Sequence, residues 1–264
     1  MQSIRSRNVL TLVSLATVLG AHAAFAVEEV REEFHQTWPL NKQGRVQLEN
    51  VNGNVHVVTW DREEIKVDAV KHAKKQEHLD EVKIDVDAQA DRIRIKTKYP
   101  DAKTKRNRNN STSVDYTLTV PKQTRLDGIR TVNGEIEIEN VGGDVEASSV
   151  NGPVMARGLA GDVDLSTVNG SVKADFTDLK KAVSLKSVNG GVSIAVPSEA
   201  NADVSANTLN GGISSDFALQ AKKHFPVGQN LDGKLGGGGP RIKMSSVNGA
   251  IHLDRSKTVA LDTR

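Results

Sequence analysis

The chain contains no cysteine. That excludes a disulfide-stapled fold, a thiolate metal site and a lipid anchor on a lipobox cysteine. Aromatic residues are only 3 % of the sequence, so a core must come from Val, Ile, Leu and Ala. Such a core suits thin stacked layers better than one thick centre. No apolar run reaches the about 20 residues of a membrane-spanning helix. No stretch beyond Leu126 has sustained helical periodicity, which argues against a helical domain there.

Several catalytic and ligand-holding patterns are also missing. The glycine run from Gly233 to Gly239 lacks the Gly-Lys-Ser/Thr ending of a phosphate-binding loop and reads as a backbone turn. Serine is common, yet no Gly-x-Ser-x-Gly elbow occurs. His35, His56, His72, His78, His224 and His252 show no metal-ligand spacing. No cofactor and no metal are therefore expected, and catalytic residues are expected to be none.

What is present begins with an apparent secretory leader over residues 1–26. Arg5 and Arg7 give a positive start, Val9 to Leu19 an apolar stretch, and Ala24-Phe25-Ala26 a small-residue cleavage site. The arginines are split by Ser6, so no twin-arginine signal exists. Removing the first 26 of the 264 residues leaves 238, from Val27 to Arg264. The leader holds two of the 35 basic residues and none of the 33 acidic ones, so the remainder is balanced at 33 against 33. Net charge therefore gives no case for a nucleic-acid partner. The expected location is exported, in the periplasm or on the cell surface, with no membrane span in the mature chain.

The main signal is an internal repeat. Val-Asn-Gly occurs at Val51, Val132, Val150, Val168, Val188 and Val247, and Leu209-Asn210-Gly211 makes a seventh copy. The regular copies are 18, 18, 20 and 21 residues apart. A half-period of 9 residues runs through Ile136, Val145, Val154, Val163 and Val172. Within each unit apolar and polar residues alternate, as in a half-buried strand. The expected fold is all-β, a parallel β-solenoid built from strand-turn units of about 9 residues, with 18–21 residues per coil. The weaker alternative is an antiparallel meander with Asn-Gly hairpins.

The solenoid predicts a stacked turn ladder. It comprises Asn52-Gly53, Asn133-Gly134, Asn151-Gly152, Asn169-Gly170, Asn189-Gly190, Asn210-Gly211 and Asn248-Gly249, with the amides bonded in a column. Glycine is expected to supply a positive φ at the corner. The residues before the corners, such as Val150 and Val168, are expected to point inward, as are Val141 and Leu159.

The sequence divides as follows. Residues 27–45 read as a polar lead-in and cap. Residues 46–253 form the repeat domain: irregular over 46–125, regular over 126–217, with a closing coil at 240–253. Residues 254–264 are a polar tail. Lys71 to Glu81 reads as a short helix. Pro100 to Ser113 reads as a charged loop, in which Lys103, Lys105, Arg106 and Arg108 are a candidate polyanion contact. Asp144 and Asp162 fall one coil apart and are the carboxylates to check for polysaccharide chemistry, although a charge ladder also explains them.

Leu48-Glu49-Asn50-Val51-Asn52-Gly53-Asn54-Val55 followed by Thr59-Trp60-Asp61, then Leu118-Thr119-Val120-Pro121, the Val-Asn-Gly copies, and Gly236 to Pro240 leading into Val247-Asn248-Gly249 resemble the bacterial putative-adhesin family of exported β-repeat proteins, a domain of unknown function. The resemblance runs from about Gly44 to Leu253. It implies a β-solenoid-like fold and an envelope location, and it brings no catalytic residues. The leading expectation is a non-catalytic binding or structural scaffold of the cell envelope, with an envelope polymer or protein as partner. The alternatives are a solenoid carbohydrate-active enzyme and an envelope-stress sensor or partner.

Overall fold

The computed structural model describes residues 29–100, 111–223 and 227–256. The expected leader, the basic segment with Lys103, Lys105, Arg106 and Arg108, and the end of the tail lie outside the described residues. The described chain is all-β apart from one short helix, α1 (Gln76–Glu81). Its strands form two long sheets, sheet I with eleven strands and sheet II with ten.

The chain alternates between the sheets, so each layer is one strand of sheet I followed by one of sheet II. In spatial order the layers start with β6 (Arg92–Lys98) and β7 (Ser113–Pro121), then β2 (Arg45–Glu49) and β3 (Val55–Trp60). Next come β8 (Arg125–Asn133) with β9 (Ile136–Glu139), and β10 (Val145–Asn151) with β11 (Val154–Leu159). They are followed by β12 (Val163–Asn169) with β13 (Val172–Phe176), and β14 (Val183–Asn189) with β15 (Val192–Val196). The last two are β20 (Arg241–Asn248) with β21 (Ile251–Arg255), and β16 (Ala202–Asn210) with β17 (Ile213–Ser215). Neighbouring layers pair in parallel, with Val145 opposite Val163 and Val163 opposite Val183.

The alternating pattern explains the strands. Along β12, Val163, Leu165 and Thr167 are buried while Asp164 and Val168 are exposed. In-register pairing stacks like on like, so Ala147, Leu165, Leu185 and Met244 form one inward column. Val154, Val172, Val192 and Ile251 form the facing column from sheet II. Truncating one such residue, for example Leu165→Ala, removes about 2–5 kcal/mol.

The arrangement departs from expectation in three places. First, the stack is not parallel throughout. β5 (Lys83–Gln89) lies antiparallel on β6, β4 (Glu64–Ala73) on β7, and β1 (Val30–Pro39) on β4. At the other end β19 (Gln229–Leu235) lies antiparallel on β16, and β18 (Lys222–Lys223) on β19. For β5 and β6 a short connection explains this: only the turn at Ala90-Asp91 separates them, and a parallel pair needs a long crossover. The polar lead-in thus holds an edge strand, β1, with Phe34 and Trp38 half-buried.

Second, the coil at 240–253 does not close the array. β20 lies between β14 and β16, and β21 between β15 and β17. β19 occupies the outer edge of β16, so the returning chain pairs on its inner edge. Third, the helix is shorter than Lys71 to Glu81, because β4 continues to Ala73. Lys71 points inward there and pairs with Glu32 of β1 at 3.0 Å.

Candidate binding face along the Asn-Gly corner

The corner between sheets I and II carries a regular column of side chains. Asn133 Nδ2 donates to Asn52 Oδ1 at 2.7 Å, Asn151 to Asn133 at 2.8 Å, and Asn169 to Asn151 at 2.8 Å. The series continues with Asn189 to Asn169 at 2.9 Å, Asn248 to Asn189 at 2.8 Å, and Asn210 to Asn248 at 2.8 Å. Seven amides thus form one column, all oriented the same way. Asn210 follows Asn248 because the last layers are interchanged.

A second column lies beneath and was not read from the sequence. The buried hydroxyls of Thr131, Ser149, Thr167, Ser187, Ser246 and Thr208 each donate to the glycine carbonyl of the preceding layer, at 2.8–3.1 Å. The signal is visible in retrospect: six of the seven copies read Ser/Thr-Val/Leu-Asn-Gly. The first copy has Asn50 instead. Its Nδ2 donates to the Val114 carbonyl at 2.8 Å, and its Oδ1 accepts from Tyr99 Oη at 3.2 Å. Burial pushes the Tyr99 phenol up to about 12.

The glycines are required by close approach. A Cβ on Gly170 would sit 2.3 Å from the Gly152 carbonyl oxygen, and one on Gly190 would sit 1.9 Å from that of Gly170. The expectation of a positive φ at every corner is not met: Gly53 has φ 121°, but Gly134, Gly170, Gly211 and Gly249 are not in that region. The backbone of the next layer occupies the space where a side chain would go.

The expected inward valines split into two groups. Val51, Val132, Val150, Val168, Val188, Leu209 and Val247 are 36–51 % exposed and form an apolar column beside the amides. The strand keeps its alternation up to Asn151, so Val150 stays on the outer face. Val141 and Leu159, at the opposite corner, are buried. Each follows a residue of positive φ, Asn140 at 58° and Gly158 at 68°, which reverses the side-chain alternation.

The outer face of sheet I also carries a shallow trough of about 530 Å³. Asp144, Glu146, Asp162 and Asp164 lie in it, with Arg125, Arg241 and Lys243 around them. Asp144 Oδ1 accepts from the Asp162 amide at 3.0 Å and from Lys181 Nζ at 3.0 Å, and Asp162 accepts from the Ala182 amide at 2.9 Å. Partial burial works against ionisation of Asp144, yet these bonds hold its carboxyl below the ordinary range. A general acid for glycoside cleavage needs the opposite shift. In the next layer Ala182 stands against Asp162, so the column of aspartates stops there.

On sheet II, His56, Glu137 and Glu139 bring ligand-type atoms within 4.8 Å of one another. Arg157 already bonds Glu137 and lies 3.6 Å from Glu139, so both carboxylates have a cation beside them. His35 sits between Asp68, at 2.6 Å from Nδ1, and Glu33, at 3.1 Å from Nε2. Hydrogen bonds to these two carboxylates raise its pKa. No described helix is long and apolar enough to cross a membrane.

Residues 148–254 match the family model Toastrack DUF4097. A protein from Clostridium sporogenes, named for cell adhesion, has a crystal structure that superposes with a TM-score of 0.50 at 12 % identity, covering 86 % of this chain and all of that one. A protein from Bacteroides fragilis, named as an adhesin, gives 0.38 at 15 % identity over 85 % of this chain and 97 % of its own. The first likeness concerns the fold alone. No curated protein matches the chain. Over residues 148–254, from β10 to β21, the chain is thus similar to the Toastrack DUF4097 family.

Proposed function

We propose that this protein is a non-catalytic, exported scaffold of the cell envelope, a β-solenoid of 18–21-residue coils that binds its partner along the outside of the Asn-Gly corner. The observation that carries the reading is the continuous exposed column of Val51, Val132, Val150, Val168, Val188, Val247 and Leu209. Contiguous apolar surface on a soluble protein marks contact sites, and solenoids offer long regular faces for them. The column lies beside an amide ladder, so the face pairs apolar contact with hydrogen-bonding groups. The names of the similar structures are in keeping with adhesion. In the same reading, residues 1–26 are removed on export, and Lys103, Lys105, Arg106 and Arg108 add an electrostatic contact with anionic envelope polymers.

Co-sedimentation of the mature chain with peptidoglycan, lipopolysaccharide, teichoic acid and membrane vesicles tests the proposal. Retention on at least one is expected, and it should weaken in the triple variant V150S/V168S/V188S, whose changes lie on the exposed face. Retention on none, or equal retention of the triple variant, rejects this face as the binding surface.

A further inference from the structure

An asparagine followed by glycine is chemically unstable in water. The glycine backbone nitrogen, unhindered by a side chain, can attack the asparagine side-chain carbonyl carbon. The reaction needs a glycine N–H free to lose its proton and a carboxamide free to turn toward it. The chain carries seven such pairs along one corner, and the stack treats six of them alike.

In those six the glycine N–H donates to the asparagine carbonyl of the next layer at 2.9–3.1 Å, as Gly170 does to Asn189. Their carboxamides are held in the ladder on both sides, and Asn52, at the first rung, donates to the Thr112 carbonyl. The seventh pair, Asn210-Gly211, belongs to the outermost layer. Asn210 Nδ2 donates to Asn248, but among the described residues its Oδ1 accepts nothing and the Gly211 N–H has no acceptor. Gly211 is also exposed, whereas the other six corner glycines are partly covered.

We infer that Asn210 is a site of spontaneous deamidation, and that stacking protects the other six asparagines. The Gly211 nitrogen gives its proton to solvent base and bonds to Asn210 Cγ. The side-chain nitrogen leaves as ammonia, closing a five-membered succinimide. Water then opens the ring at either carbonyl, giving aspartate or isoaspartate. One water enters, one ammonia leaves, and nothing is oxidised. The product carboxylate has no N–H to offer Asn248, so the last rung of the ladder is lost and the end of the array gains a negative charge.

The sequence supplies its own control. Asn189 lies in Ser-Val-Asn-Gly-Gly-Val and Asn210 in Thr-Leu-Asn-Gly-Gly-Ile, so their intrinsic reactivities are closely matched. Both fall on one tryptic peptide, Ser187 to Lys222. The folded full chain is held in warm, mildly alkaline buffer, and the peptide is fragmented to place the amide-to-acid mass gain and the isoaspartate. Conversion at Asn210 should run at least about tenfold faster than at Asn189, because freeing Asn189 breaks hydrogen bonds on both sides. In denaturant the two should convert at similar rates. Equal conversion of both in the folded protein, or an Asn210 that stays intact while the denatured chain reacts, overturns the inference.

Discussion

Replacing Gly170 by alanine tests the corner most directly. The added Cβ would lie 2.3 Å from the Gly152 carbonyl oxygen and 2.6 Å from its carbon. Real Cβ contacts do not fall below 3.0 Å, so the two layers must part by at least 0.7 Å there. Three bonds hold them together: Gly152 N–H to the Asn169 carbonyl at 3.0 Å, Thr167 Oγ1 to the Gly152 carbonyl at 2.8 Å, and Asn169 Nδ2 to Asn151 at 2.8 Å. At about 0.5–1.5 kcal/mol each, losing them costs about 1.5–4.5 kcal/mol. Alanine also restricts the unfolded chain, which offsets about 0.4–1 kcal/mol. The expected net loss is about 1–4 kcal/mol, a fall in Tm of about 2–16 °C for a domain of this size. Thermal and denaturant unfolding followed by circular dichroism reads it. Gly212→Ala is the control: no described residue lies within 4 Å of its added Cβ and its φ is not left-handed. That variant should be neutral or slightly stabilised. If Gly170→Ala is as stable as Gly212→Ala, close approach is not why glycine stands at these corners.

Three further outcomes are expected. Thr167→Val keeps the shape but leaves the Gly152 carbonyl without its hydroxyl partner, so unfolding should become easier by about 1–3 kcal/mol, whereas Ser166→Ala on the outer face should change little. The His35 pKa is raised in the folded state, so its stabilisation is complete below the ordinary value of 6.5 and is lost as pH rises through the folded value. Hydrogen exchange of β1 should therefore quicken over that window in the native chain but not in His35→Gln. Burial raises both tyrosine phenols, and at Tyr116 it outweighs the 2.7 Å bond to Thr97, which works the other way. The chain has only two tyrosines, so spectrophotometric titration should show almost no phenolate near pH 10, the ordinary value, and stability should fall as pH rises beyond it.

The periodicity of the sequence carried the layered all-β architecture, because in-register stacking places equivalent residues in columns and leaves a trace at every repeat. The ladder asparagines and the glycines beside them were legible for that reason. The layer order was not. Val247-Asn248-Gly249 has the same local chemistry whether its layer is last or next to last, and only the antiparallel β19 on the outer edge of β16 decides. The direction of the corner valines was misread because alternation passes through the corner unchanged at Val150, while a single left-handed residue reverses it at Leu159. The hydroxyl column escaped notice because serine and threonine are common in strands and loops alike. Its meaning appears only when the glycine carbonyl of the layer below is in place.

The interchange of layers at the two extremities bears on how such a protein can change length. The β2–β3 repeat comes first in the chain yet lies inside β6–β7, and the β20–β21 repeat comes last yet lies inside β16–β17. Duplicating a repeat at either terminus would therefore add a strand pair that has no free edge to join. Only in the interior, from β8 to β15, do chain order and spatial order coincide. Longer and shorter relatives should accordingly differ by whole repeats gained or lost within that stretch, with the interlocked extremities kept intact.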